Sequence, residues 1–96
     1  MNKHNERSIK DAIQDLLRAY GLEERMNEVK LVNSWEKVMG KMISRHTKGI
    51  NIKDKCLFLK LDSAPLKHEL SYARTKLVKM LNDELGVEVI NDVIIQ

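Results

Sequence analysis

The sequence predicts a small α+β domain: a mixed three-stranded sheet backed by helices, in the order α-α-β-β-α-β. Three observations carry this prediction. Apolar residues recur at helical spacing through the first half of the chain, and the period changes to strict alternation between Ile50 and Leu61. It then turns helical again before a β-branched C-terminal segment. At 96 residues the chain suffices for one domain and not two, and such a domain buries roughly 60–65% of its unfolded surface. That domain is expected over residues 8–96, preceded by a polar, flexible N-terminus over residues 1–7.

The first helix places Ile9, Ala12, Ile13, Leu16, Leu17 and Tyr20 on one face, expected to be buried. Ser8 and Asp11 offer a capping arrangement at its start, and Gly21 ends it. The second opens in the acidic Leu22-Glu23-Glu24-Arg25 segment, where carboxylates meet the positive end of the helix dipole. Its face is Leu31, Val32, Trp35, Val38, Met39, Met42 and Ile43. The period runs through Gly40, which predicts a kink or a tight backbone contact there.

Lys48-Gly49 connects this helix to two strands. With Asp54-Lys55 as the central pair of the turn, Ile52 opposes Leu57 and Ile50 opposes Leu59, so the aliphatics share one face. The pair lacks the Asn-Gly or Asp-Gly signal, so the turn type stays open. Ser63-Ala64-Pro65 starts a third helix, because proline is tolerated in a first turn where its missing N–H has no partner to lose. Leu66, Leu70, Ala73, Leu77, Met80, Leu81 and Leu85 form its buried side, and Gly86 closes it. The apolar run Val93-Ile94-Ile95 predicts a last strand that is central or covered on both faces, parallel to the strand before the crossover.

Composition narrows the chemistry. One cysteine, Cys56, forms no internal disulfide and supplies no cysteine-based zinc site, which places the chain in a reducing cytoplasm. The residues that open the sequence include no apolar run of signal-peptide length, and no segment reaches the ~20 apolar residues of a membrane span. No nucleotide-binding loop or nucleophile elbow is present, and His4, His46 and His68 lack metal-ligand spacing, so neither enzyme chemistry, cofactor nor metal is expected. Charge is the positive signal. Residues 41–79 hold ten Lys or Arg against three acids, a charge of +7, while the flanks together carry −4. Such a dipolar surface steers an anionic partner to its basic side.

Trp35 followed by Val38 and Gly40, Ser44-Arg45-His46-Thr47 before the first strand, Leu57-Phe58-Leu59-Lys60-Leu61, Ser63-Ala64-Pro65, Leu70, and Leu81-Asn82 with Gly86 form one ordered set. In order and spacing this set resembles the DciA-like bacterial proteins associated with the DnaB-type replicative helicase, over about residues 10–95. The resemblance implies a KH-like fold and a nucleic-acid-associated adaptor that helps load or operate the helicase. Its implied partners are the helicase hexamer and single-stranded or branched DNA, or RNA. Three departures accompany it. Gly40-Lys41-Met42-Ile43 lacks the second glycine of the GxxG loop that clamps nucleic acid in KH domains. Many relatives carry segments beyond this domain, and the zinc ribbon associated with some has no counterpart in a one-cysteine chain.

The residues expected to bind nucleic acid are Lys41, Arg45, Lys48, Lys53, Lys55 and Lys60, with Phe58 on the same hairpin face. Each has a plainer reading: the bases as a solvated surface, and Phe58 as packing beneath a helix or in a dimer contact rather than as a base-stacking platform. Trp35 reads as core, with Gly40, Pro65 and Gly86 as structural positions. Lys67, Arg74, Lys76 and Lys79 either extend the basic patch or form the wet side of the third helix. The expected function is a non-enzymatic adaptor with a basic, sequence-independent surface. The alternative is a protein-binding module or homodimer with no nucleic-acid role.

Overall fold

The computed structural model describes the backbone of residues 2–96 and the side chains of residues 8–96. The flexible segment expected over residues 1–7 lies outside the described side chains. Among the described residues six helices and three strands follow one another as α1 (Asn2–Ala19), α2 (Leu22–Asn33), α3 (Trp35–Met39), α4 (Lys41–Arg45), β1 (Thr47–Lys53), β2 (Cys56–Leu61), α5 (Ala64–Ser71), α6 (Arg74–Leu85) and β3 (Asp92–Ile95). The predicted order holds, with two of the three periodic runs subdivided by breaks that leave their apolar period intact.

The second run breaks twice. At Ser34 the hydroxyl turns back to donate to the Leu31 carbonyl at 2.7 Å. At Gly40 the backbone takes φ 88 and ψ 168, a conformation that side chains with a Cβ avoid. A Cβ built there would meet nothing within 4 Å, so the predicted kink is present and the predicted close backbone contact is not. The third run breaks at Tyr72–Ala73, where the Ala73 N–H reaches the Leu70 carbonyl at 3.0 Å and α6 starts afresh. Ser63 caps α5 by accepting from the Leu66 N–H at 3.3 Å, with Pro65 in the first turn. Gly86 ends α6 in the left-handed conformation, φ 71, its N–H on the Asn82 carbonyl at 2.9 Å.

β1 and β2 pair antiparallel with Ile52 opposite Leu57 and Ile50 opposite Leu59, the register predicted from alternation. Asp54 and Lys55 both have positive φ, 52 and 61, which is a type I′ turn made without glycine. β2 and β3 pair parallel, Leu57 against Val93, and the sheet order is β1-β2-β3. This corrects the expectation for the last strand. β3 is an edge strand, Val93 alone is fully buried, and Ile94 points to the open face because adjacent residues of a strand alternate sides.

One sheet face carries the core. Leu31 and Trp35 from α2 and α3, Leu57, Leu59 and Leu61 from β2, and Leu77 and Leu81 from α6 are buried together with Ile90 and Val93. The set is aliphatic apart from Trp35, whose indole Nε1–H donates to Thr47 Oγ1 at 3.0 Å. The Thr47 hydroxyl in turn donates to the Ile43 carbonyl at 2.7 Å, tying α3, α4 and β1 into one corner. Met42 and Met80, expected on buried faces, are exposed.

The first helix departs most from expectation. Ser8 lies inside α1 and does not cap it. Of the face predicted to be buried, only Leu17 is partly covered, while Ile9, Ile13, Leu16 and Tyr20 are 61%, 51%, 56% and 73% exposed. The physical reason is geometric. α1 leaves the body through Gly21 and projects from it, so the molecule measures 57 × 25 × 20 Å. Its radius of gyration is 16.4 Å, against about 12.5 Å for a compact chain of this length.

Candidate functional site

Two short elements make the basic corner. Because α4 begins just after Gly40 and ends at the β1 junction, Lys41 and Arg45 fall one turn apart on the same side of a five-residue helix, both exposed. The register of β1 shifts between Thr47 and Gly49, which sets Lys48 in a bulge. Its Nζ bends back to the Arg45 carbonyl at 3.4 Å and to Asp62 Oδ2 at 3.5 Å. Asp62 Oδ1 also lies 2.7 Å from His46 Nδ1. The hydrogen bond from His46, with the charges of His46 and Lys48, holds the Asp62 carboxyl below its ordinary value of 3.8. The His46 backbone N–H reaches the Ile43 carbonyl at 3.2 Å, closing the last turn of α4.

The hairpin carries the remaining bases. Lys60 stands opposite Gly49, Phe58 opposite Asn51 and Cys56 opposite Lys53, all on the face away from the core. A Cβ at Gly49 would come within 3.3 Å of Lys60 Cβ, so the absent side chain leaves room for the lysine stem. Phe58 is half-buried in the middle row, between Asn51 and the exposed Ile94. Lys53 and Lys60 occupy opposite ends of this face, roughly 13 Å apart along the strands, and Lys55 lies in the turn beyond Lys53.

The six predicted bases therefore form two groups. Lys41, Arg45, Lys48 and Lys60 lie at the corner end of the hairpin, and Lys53 and Lys55 at its tip. Among the described residues no carboxylate lies within 4.0 Å of Lys41, Arg45, Lys53, Lys55 or Lys60. Elsewhere among the described residues Lys37 pairs with Glu84, Lys79 with Asp83 at 3.1 Å, and Arg18 with Glu23 at 3.1 Å, while Lys10, Arg25, Lys30, Lys67, Arg74 and Lys76 likewise have no carboxylate within 4.0 Å. Lys48, by contrast, shares its charge with Asp62.

Two residues that periodicity did not mark complete the open face. Ile94 joins Phe58 as an apolar neighbour, and Arg74, at the start of α6, is near enough for its charge to favour the Cys56 thiolate. That influence is outweighed. Burial, followed by the Asp92 carboxylate, pushes the Cys56 thiol above its ordinary value, which suits a packed thiol and not a nucleophile. Pairing parity would have placed Ile94 on this face; nothing in the sequence links Arg74 to Cys56. Among the described residues no cluster of three or more His, Cys, Asp or Glu is arranged to hold a metal ion. Trp35 is buried in the core, Gly40 stands at the break between α3 and α4, Pro65 lies in the first turn of α5, and Gly86 ends α6.

A family model described as "Dna[CI] antecedent, DciA" matches residues 8–95. The chain belongs to the DciA family. That family is associated with loading of the DnaB helicase, and it is a helicase-loader-type adaptor family rather than a known enzyme family. No curated protein and no solved structure matches the chain. The DciA match takes in the corner, the hairpin with both groups of bases, and α1 from Ser8 onward. No helix among the described residues is long and apolar enough to cross a membrane.

Proposed function

We propose that this DciA-family chain is a non-enzymatic, cytoplasmic adaptor that acts with the replicative DNA helicase and grips single-stranded or branched DNA through its basic hairpin and corner. The observation that carries the proposal is the gathering of Lys41, Arg45, Lys53, Lys55 and Lys60, none with a carboxylate within 4.0 Å among the described residues, at the corner and the hairpin inside the DciA match. Two groups separated by roughly 13 Å engage phosphates several positions apart on one strand, and such contacts carry no base preference. Phe58, with Ile94 beside it, provides an apolar step between the groups on which a base can stack.

The test has two arms. Fluorescence anisotropy on single-stranded, branched and double-stranded DNA and on RNA, at rising salt, is expected to show binding at low salt that weakens steeply as salt displaces phosphate contacts. Absence of binding at low salt by a folded chain would remove the nucleic-acid role. In the second arm a purified DnaB-type hexamer is expected to retain the chain in a pull-down. If a folded chain were not retained, the proposed action with the helicase would fall.

A further inference from the structure

Among the described residues, α1 and α2 leave a broad apolar surface unpartnered. On α1, Ile9, Ile13, Leu16 and Tyr20 form one stripe, each more than half exposed. On α2, Leu22, Met26 and Val29 are also exposed, and they line a hollow of about 350 Å³ whose α1 wall is Leu17. The seven are each 43% to 73% exposed, so together they leave an apolar area on the order of several hundred Å² open. Monomeric proteins rarely leave so large a contiguous apolar area uncovered.

We infer that this face is the interface of a two-fold dimer in which α1 and α2 of one copy pack on α1 and α2 of a second. Three observations select a second copy. The open area is of the order that each partner contributes to a standard interface, about 800 Å². Over residues 8–33, Lys10, Arg18, Arg25 and Lys30 stand against Asp11, Asp15, Glu23, Glu24 and Glu28, a net charge of −1, so a copy laid on a copy meets little net repulsion. The same balance disfavours an anionic membrane surface, which calls for a polar face rich in Lys and Arg. Finally, α1 projects from the body beyond Gly21, so two copies bring their stripes together antiparallel with their bodies at opposite ends. Four helices then close over a core that one copy leaves exposed. The basic hairpins lie outside this face, and the dimer presents two of them to one strand.

Sedimentation equilibrium of the full chain, without nucleic acid, from about 1 to 200 µM tests this at protein concentrations spanning ordinary dimer affinities. The mass is expected to rise from 11.1 kDa to twice that value. Ile13→Glu and, separately, Val29→Glu are expected to weaken association more than about 30-fold, because each buries a charge in the apolar seam. Both positions are exposed in the single chain, so circular dichroism of the variants is expected to match the parent. A parent that stays at 11.1 kDa throughout overturns the inference, as does a dimer unaffected by both substitutions. Since no DNA is present, failure here leaves the nucleic-acid proposal standing.

Discussion

Asn82 is the polar residue on which the approach to β3 depends. Its side-chain Oδ1 accepts from the Val89 N–H at 2.9 Å and from the Ile90 N–H at 3.1 Å, while its Nδ2 donates to the Ile90 carbonyl at 2.8 Å. Ile90 is fully buried and Val89 nearly so, so their backbone groups have little water to turn to once the amide is gone. Each neutral hydrogen bond contributes about 1 kcal/mol net, and a buried group left unpaired costs about 1–3 kcal/mol. Asn82 itself is only half-buried, at a solvent-open hollow lined by Lys79, Asp83 and Gly86, so water replaces part of the loss in Asn82→Ala. The expected destabilisation is about 2–3 kcal/mol. For a domain of this size that lowers Tm by roughly 10–20 °C. Urea unfolding followed by circular dichroism measures it, with the slope m unchanged. Asn82→Asp keeps the acceptor for two N–H groups and loses the donor, and its effect is expected to be smaller. A loss below about 1 kcal/mol for Asn82→Ala would refute the claim that this amide holds the β3 approach in place.

Three further outcomes follow from the corner and the hairpin. Trp35→Phe removes the donor to Thr47 and some core volume, and is expected to lower stability by about 1–2 kcal/mol in urea unfolding; a loss under about 0.5 would mean that the Trp35–Thr47 link adds nothing. Lys55→Gly relieves a left-handed conformation that glycine adopts freely, and is expected to raise stability by about 0.5–1 kcal/mol; a destabilised variant would show the I′ turn to be held by the lysine side chain instead. Asp62 has a depressed folded pKa, so its contribution is present above the ordinary value of 3.8 and is lost as pH falls through the lower folded value. Asp62→Asn is expected to remove that acid-side loss from a stability profile taken from pH 6 down to about pH 2, and an unaltered profile would argue against the His46–Asp62–Lys48 arrangement.

How far the sequence led depended on whether a feature is local. The hairpin register followed from alternation because a slip of one residue would have turned Leu57 and Leu59 outward. The breaks at Ser34, Gly40 and Tyr72–Ala73 were harder to read, since the apolar period continues across them and only Gly40 carried a local sign. The exposure of Ile13 and Leu16 could not be read at all. Amphipathicity says which side of α1 is apolar, and only tertiary structure says what covers it. The segregation of charge was visible by counting, but its division between corner and tip follows from the hairpin, in which β1 carries Lys53 and Lys55 away from Arg45 and the turn returns Lys60 toward it. Lys48 was read as one more free cation because its partner, Asp62, stands across the hairpin.

The most direct test of the proposed grip is the salt dependence of single-stranded DNA binding for the parent and for Lys41→Glu/Arg45→Glu. If Lys41, Arg45, Lys53, Lys55 and Lys60 all reach phosphates, the slope of log K against log salt is about −3.5, and the double reversal reduces its magnitude by about 1.4 while weakening binding alike for every sequence. An unchanged slope and affinity in a folded double variant would contradict the assignment of DNA contact to this corner.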